Sequence, residues 1–393
     1  MIQFIFKRFR AAITHILKMG ETDVISMPRI RRELENFIPY SWETPTHEVA
    51  AKYGLKPESI IRMDLNTSPF QPKRWLASLS RNIQKIPVHL YPDASYQRLR
   101  QALAEYAETD IDEITVGNGA DECLMMVSQT FMEKDGQALI SYPSYSYFRV
   151  CAEIMGGKVV KVSRKPDFRD DVEGLLTAAK NNTQIVFLCS PNNPTGNLIE
   201  ESELRKLLAE LDAVIVVDEA YYEYCGKTFA GLVSSYSNLI VVRTMSKAFS
   251  LAGVRVGYAI AAEETIRKLN LVRPPNSVGV LSTALAQHAL KKTSDVRKWV
   301  DKVVKERERV RNILEGDGRV KVYPSQANFL LIKFKEVNAG LVQQKLMQQG
   351  IVVRNLSDSV ENSLRVTVLT RRENDRFLKA LKNVLDEEAL GGL

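Results

Sequence analysis

The amino-acid sequence predicts an α/β protein: a mostly parallel, seven-stranded sheet with helices on both faces, followed by a smaller α+β region. Two observations lead there. From residue 114 to residue 260, short apolar, β-branched runs alternate with helical stretches, the pattern of strand–helix–strand units whose strands are buried on both faces. Beyond Val272-Arg273-Pro274-Pro275 the alternation stops, and one long helical stretch gives way to mixed strands and helices. A chain of 393 residues is also long for one core and suits two domains.

The sheet runs are residues 114–116, 138–141, 159–162, 185–188, 214–217, 239–242 and 256–260. Residues 123–131, after the first run, read as a helix. Residues 282–314 are expected to form one long helical region, broken near Gly316-Asp317-Gly318 because glycine costs a helix about 1 kcal/mol relative to alanine. Past that break, 320–322, 329–332, 351–354 and 364–368 read as strands, and 339–349 and 373–385 as helices.

Charge excludes some functions. There are 54 basic and 47 acidic residues, a net +7 spread in mixed sign along the chain, so nucleic-acid binding is not expected. The surplus suits either solubility or an anionic ligand. Cys123, Cys151, Cys189 and Cys225 lack metal-ligand spacing and read as reduced core thiols of a cytoplasmic protein. His15, His47, His89 and His288 are dispersed, so neither a metal site nor a histidine-based triad is expected. The first nineteen residues mix Phe4, Ile5, Phe6 and Phe9 with Lys7, Arg8 and Arg10. They are too short to span a membrane; a helix packed on the protein or on a partner subunit is expected, with a membrane-surface helix as the alternative.

Four segments carry chemistry. Thr244-Met245-Ser246-Lys247-Ala248-Phe249 follows an apolar strand run and precedes Arg255. A lysine there can form a Schiff base with an aldehyde cofactor while hydroxyls and an arginine hold that cofactor's phosphate. Ser190-Pro191-Asn192-Asn193-Pro194-Thr195-Gly196 is a rigid turn at a strand end, where an amide can be aimed at a ligand. Asp218, at the end of Val214-Ile215-Val216-Val217, lies at the sheet edge where open α/β folds bind ligands, with Tyr221 just beyond. Gly117-Asn118-Gly119-Ala120-Asp121 links a strand to a helix start, whose outward amides can seat a phosphate. Taken singly, each has a plainer reading: a surface lysine, two ordinary turns and a helix-capping aspartate.

Together these segments resemble the fold-type I pyridoxal-phosphate aminotransferases, and most closely the histidinol-phosphate aminotransferase family. Ile38-Pro39-Tyr40, Tyr91-Pro92-Asp93, Tyr142-Pro143-Ser144-Tyr145, Gln326-Ala327-Asn328-Phe329 and Leu364-Arg365-Val366-Thr367-Val368 extend the resemblance over nearly the whole chain. It implies a large domain over 63–290 that binds pyridoxal 5′-phosphate, and a small α+β domain from 1–62 and 291–393. It implies that Lys247 is the covalent anchor and the base. Asp218 would meet the pyridine nitrogen, Asn193 and Tyr221 the ring hydroxyl, and Tyr145 the ring face. Ala120, Asp121, Thr244, Ser246 and Arg255 would hold the phosphate, with Tyr91 reaching it from the second subunit of a homodimer. Tyr40, Arg354 and Arg365 would bind the substrate, the arginines taking its phosphate.

The activity so implied is transfer of an amino group from histidinol phosphate to 2-oxoglutarate in histidine biosynthesis, the partners being a small amine donor and a 2-oxo acid. Two departures bear on the donor. Asn66-Thr67-Ser68-Pro69-Phe70 stands where the family usually shows Asn-Glu-Asn-Pro-Tyr, and Leu369 where glycine is common. Alternative readings are an aminotransferase of aromatic or other amino acids, and a decarboxylase of the threonine-phosphate type.

Overall fold

A computed structural model describes residues 28–35 and 37–391. The chain divides into two units, Met1–Phe37 and Ile38–Leu393. In the first, the described residues contain one 3-10 turn, Arg32–Leu34; the helix expected over the first nineteen residues lies outside the described residues. Everything below concerns the second unit.

Among the described residues, thirteen strands form three sheets. In chain order they are β1 (Ile61–Arg62), β2 (Ile114–Gly117), β3 (Gln137–Tyr142), β4 (Lys158–Ser163), β5 (Thr183–Cys189), β6 (Val214–Asp218), β7 (Leu239–Thr244), β8 (Gly257–Ala261), β9 (Val320–Tyr323), β10 (Phe329–Phe334), β11 (Ile351–Val352), β12 (Arg354–Asn355) and β13 (Ser363–Thr367). The large sheet has the order β2-β8-β7-β6-β5-β3-β4. The β3–β4, β3–β5, β5–β6 and β6–β7 pairs are parallel. β8 alone runs against both of its neighbours.

Alternate residues of each strand face opposite ways, so each strand feeds two cores. Ile140, Phe187, Val216, Ile240, Val242 and Ala259 pack with Leu124 and Val127 of the helix Ala120–Phe131 and with Phe148 of Tyr147–Ile154. Leu139, Val186, Leu188, Ile215, Val217 and Val241 join Leu99, Leu204 and Leu285 of three helices on the other face. That second core continues to Leu330, Ile332, Leu364 and Val366, which share one face of the four-stranded sheet β12-β13-β10-β9. The α/β architecture with a mostly parallel seven-stranded sheet is therefore as the sequence predicts.

Three local features differ. The expected helix over 282–314 is two helices, Val280–Leu290 and Thr293–Glu315. The break at Lys291-Lys292 carries no glycine or proline; Lys292 simply leaves helical geometry at φ −124°. The single run 351–354 is split, because β11 pairs in parallel with β1 while β12 pairs with β13. The run at 256–260 joins the sheet antiparallel, a direction invisible in a strand buried on both faces. No described helix is long and apolar enough to cross a membrane.

Candidate active site

Parallel strands end together, so β3, β5, β6 and β7 deliver their following residues to one edge. β2 ends there too, since it opposes β8, and for the same reason β8 begins there. Between β3 and β5 the chain's progress through the sheet reverses, the topological position where open α/β sheets leave a crevice. The crevice is lined by Tyr40, Ala120, Asp121, Tyr145, Asn193, Asp218, Tyr221, Thr244, Ser246, Lys247, Arg255 and Arg365. Arg354 lines an adjoining recess that shares Tyr40, Asn193 and Arg365 with it. Tyr91 lines neither; its side chain is 86% exposed.

One end of the cleft is shaped as a seat whose donors could hold an anion. In the register of the sheet, Gly257 faces both Gly117 of β2 and Thr244 of β7, which draws the turn at Gly119, the Ser246 hydroxyl and Arg255 to one place. The backbones approach so closely that a Cβ on Gly257 would lie 2.2 Å from the carbonyl carbon of Gly119. One on Gly119, whose φ is +83°, would lie 2.4 Å from Nη2 of Arg255. Thr244 Oγ1 donates to Ser246 Oγ at 2.9 Å, and Arg255 Nη1 reaches the same oxygen at 3.5 Å. The first amides of the helix Ala120–Phe131 open beside them.

Asp121 closes that seat. It pairs with Arg255 at 3.1 Å and accepts from the Tyr145 hydroxyl at 2.9 Å. Burial, with Asp121 next to it, keeps the Tyr145 phenol well above its ordinary range.

Asp218 and Lys247 occupy the middle. Asp218 is 4% exposed and accepts from the Ala220 amide at 2.9 Å. Burial drives its carboxyl up to about 7, with Asp121 adding to the rise and the Ala220 hydrogen bond and Lys247 opposing it. Lys247 donates to the Leu65 carbonyl at 3.2 Å, and its nitrogen lies 5.8 Å from the centre of the Tyr221 ring. Burial and the positive charge of Arg365 bring the amine down to about 8.

The far side is cationic. Arg365 projects from β13, donating to Asn193 Oδ1 at 2.6 Å and to the Asp64 carbonyl. Its Nε is buried and finds no hydrogen-bond partner among the described residues. Arg354 pairs with Glu43 at 3.3 Å. Tyr40 meets Tyr145 edge-on, ring centres 6.4 Å apart.

Sequence reasoning missed Glu43, Asp64, Leu65 and Asn66, which also line the cleft. Asn66 holds φ +53° and donates to Tyr221 Oη at 3.0 Å. Its readiness for left-handed backbone was a usable signal; Leu65, which contributes a carbonyl, offered none.

A model of the family described as aminotransferase class I and II matches residues 59–381. A histidinol-phosphate aminotransferase of Thermoanaerobacter pseudethanolicus is 36% identical over 360 residues, covering 91% of this chain and 98% of that protein. Among solved structures, the histidinol-phosphate aminotransferase of Clostridium acetobutylicum superposes with a TM-score of 0.77 at 27% identity, covering 84% of this chain and 100% of the other. That of Sinorhizobium meliloti, in complex with pyridoxal-5′-phosphate, gives a TM-score of 0.83 at 24% identity, covering 92% and 99%.

Proposed function

Because the chain belongs to the aminotransferase class I and II family, we propose that it transfers the amino group of histidinol phosphate to 2-oxoglutarate, with pyridoxal 5′-phosphate as cofactor, in histidine biosynthesis. The observation that carries this reading is the cleft: Lys247, Asp218 and the Ser246–Arg255 seat line one cavity. The curated relative's name supports the donor.

The residues fit this cofactor. Its phosphate has a cradle that a Cβ on Gly119 or Gly257 would fill, with Ser246, Thr244 and Arg255 as donors around it. Asp218, a buried carboxylate at the sheet edge, would pair with the protonated ring nitrogen. When bound, the cofactor supplies a protonated pyridine ring that takes up electrons from the substrate carbon. Arg365 occupies the amide oxygen of Asn193, turning that side chain's N–H groups away from the guanidinium. Tyr221 accepts from Asn66 and so keeps its own O–H to donate. Both would meet the ring hydroxyl, and Tyr145 the ring face.

Lys247 is the proton carrier. With its amine at about 8, a useful fraction is neutral near pH 7.5 and able to take a proton from the substrate's α-carbon. Arg365, whose buried Nε lacks a partner, and Arg354 would hold the donor's phosphate. Tyr91, exposed and outside both recesses, would serve a second copy of the chain, which supports a homodimer with shared sites.

The test is an absorption titration of the cofactor-loaded protein with histidinol phosphate and no 2-oxo acid. Loss of the aldehyde cofactor's band with histidinol phosphate, and far less with phenylalanine or tyrosine, is the expected result. A response to the carboxylated donors alone, or release of carbon dioxide from threonine phosphate, would overturn the assignment of the donor.

A further inference from the structure

The recess beyond the cleft already contains an anion of its own. Glu43 Oε1 lies 3.3 Å from Nη1 of Arg354, with 23% of the Glu43 side chain and 25% of the Arg354 side chain exposed. The same guanidinium reaches the Ser41 carbonyl through Nη2 at 3.4 Å. Glu43 lines both cavities, whereas Arg354 lines only the outer one. The carboxylate therefore stands where the two cavities meet, paired with the outer arginine. Its field is felt locally: the Tyr40 phenol is held above its ordinary range by burial and by Glu43, against Arg354 and Arg365.

Arg149, Arg354 and Arg365 line this recess, Arg149 being paired with Glu153, and so cationic a lining would attract any small anion. Pairing Arg354 with a side-chain carboxylate lowers that pull in the empty site. An entering phosphate, to use the forks of both Arg354 and Arg365, must first break the Glu43 pair. It must then tolerate a displaced carboxylate nearby. Resting on the reading of Arg354 and Arg365 as the phosphate anchor, we propose that Glu43 is an internal competitor for that anchor. It holds Arg354 while the recess is empty and thereby sets how strongly an anionic donor binds.

The cost is modest, because part-exposed ion pairs contribute little. Glu43→Gln should lower the KM for histidinol phosphate by about two- to fivefold. The same variant should lower the inhibition constant of inorganic phosphate, competing against the donor on cofactor-loaded enzyme, by a similar factor. In an Arg354→Ala background, Glu43→Gln should lower both constants by less than in the parent, since no pair is left to break and only the carboxylate's charge is removed. A KM and a phosphate inhibition constant that stay the same or rise in Glu43→Gln, while Arg354→Ala alone raises the donor's KM, would overturn the competitor and leave the phosphate anchor standing. A donor KM unmoved by Arg354→Ala would overturn both.

Discussion

Arg365 Nη1 donates to Asn193 Oδ1 across 2.6 Å. One hydrogen bond thus joins the four-stranded sheet, through β13, to the turn after β5 at the carboxyl edge of the large sheet. It fixes both partners: the guanidinium on the amide oxygen, and the amide N–H groups away from the guanidinium. Asn193→Ala should raise the donor's KM as well as weaken cofactor binding. A KM within twofold of the parent, measured in steady state, would show that Arg365 keeps its place without the bond.

Lys247→Ala removes the lysine that, among the described residues, alone lines the cleft and that we propose as the proton carrier. Turnover should fall by about a thousandfold or more, while added pyridoxal 5′-phosphate still binds through Arg255 and Ser246. Retention of a tenth of parental turnover would exclude Lys247 as the base.

Asp218 makes the stability of the cofactor-free protein pH-dependent. Its folded-state carboxyl, at about 7, lies above its ordinary 3.8, so between those values the native state binds more protons than the unfolded one. Stability from this group is full below pH 4 and is lost as pH rises through 7. The loss is of order 4 kcal/mol at most. Asp218→Asn should therefore melt higher than the parent at pH 7.5 when both are stripped of cofactor, with the gap shrinking toward pH 5. Lys247 acts in the other window. Its pKa is lowered from 10.5 to about 8, so stability rises as pH climbs between those two values. Melting curves of the stripped protein from pH 5 to 10 report both.

Gly257→Ala tests the seat. The added methyl would meet the Gly119–Ala120 backbone at 2.2–2.3 Å, so the turn must shift. A destabilisation of about 1–3 kcal/mol is expected, together with a larger fall in cofactor affinity. Unchanged affinity by equilibrium dialysis would mean that the turn does not hold the phosphate.

Arg243 and Glu219 form a buried ion pair at 2.9 Å, with side chains 2% and 0% exposed, and the guanidinium lies 3.7 Å from the Tyr222 ring centre. Neither lines the cleft. Glu219→Gln strands a buried cation and should cost about 3–5 kcal/mol without changing donor preference. A variant that melts like the parent would contradict the pairing.

Mixing variants tests the shared dimer. Tyr91→Phe and Lys247→Ala, each impaired alone, should regain activity when unfolded and refolded together, because a mixed dimer carries one site with both parental residues. Activity no higher than the sum of the separate proteins would exclude a site shared through Tyr91.

Much of the cleft was written locally. Lys247, Asn193 and Tyr145 each stand just past an apolar strand and Asp218 ends one, and parallel strands must end at one edge, so strand-end residues from distant segments converge without further information. The alternation of strands and helices carried the layered architecture for the same reason: burial on two faces demands continuous apolar runs. Direction and pairing were another matter. A strand buried on both faces reads alike in either direction, so the antiparallel entry of β8, which brings Arg255 to the site, came only from the assembled sheet. The separation of β11 from β12 depended on which neighbours were available to pair. Glu43, Leu65 and Asn66 came from segments far from Arg354, Lys247 and Tyr221 in the chain. Nothing near Glu43 or Leu65 in the chain marks them, and Asn66 is marked only by its readiness for left-handed backbone, because a carboxylate, a carbonyl or an amide becomes part of a site only through the partner that folding sets against it.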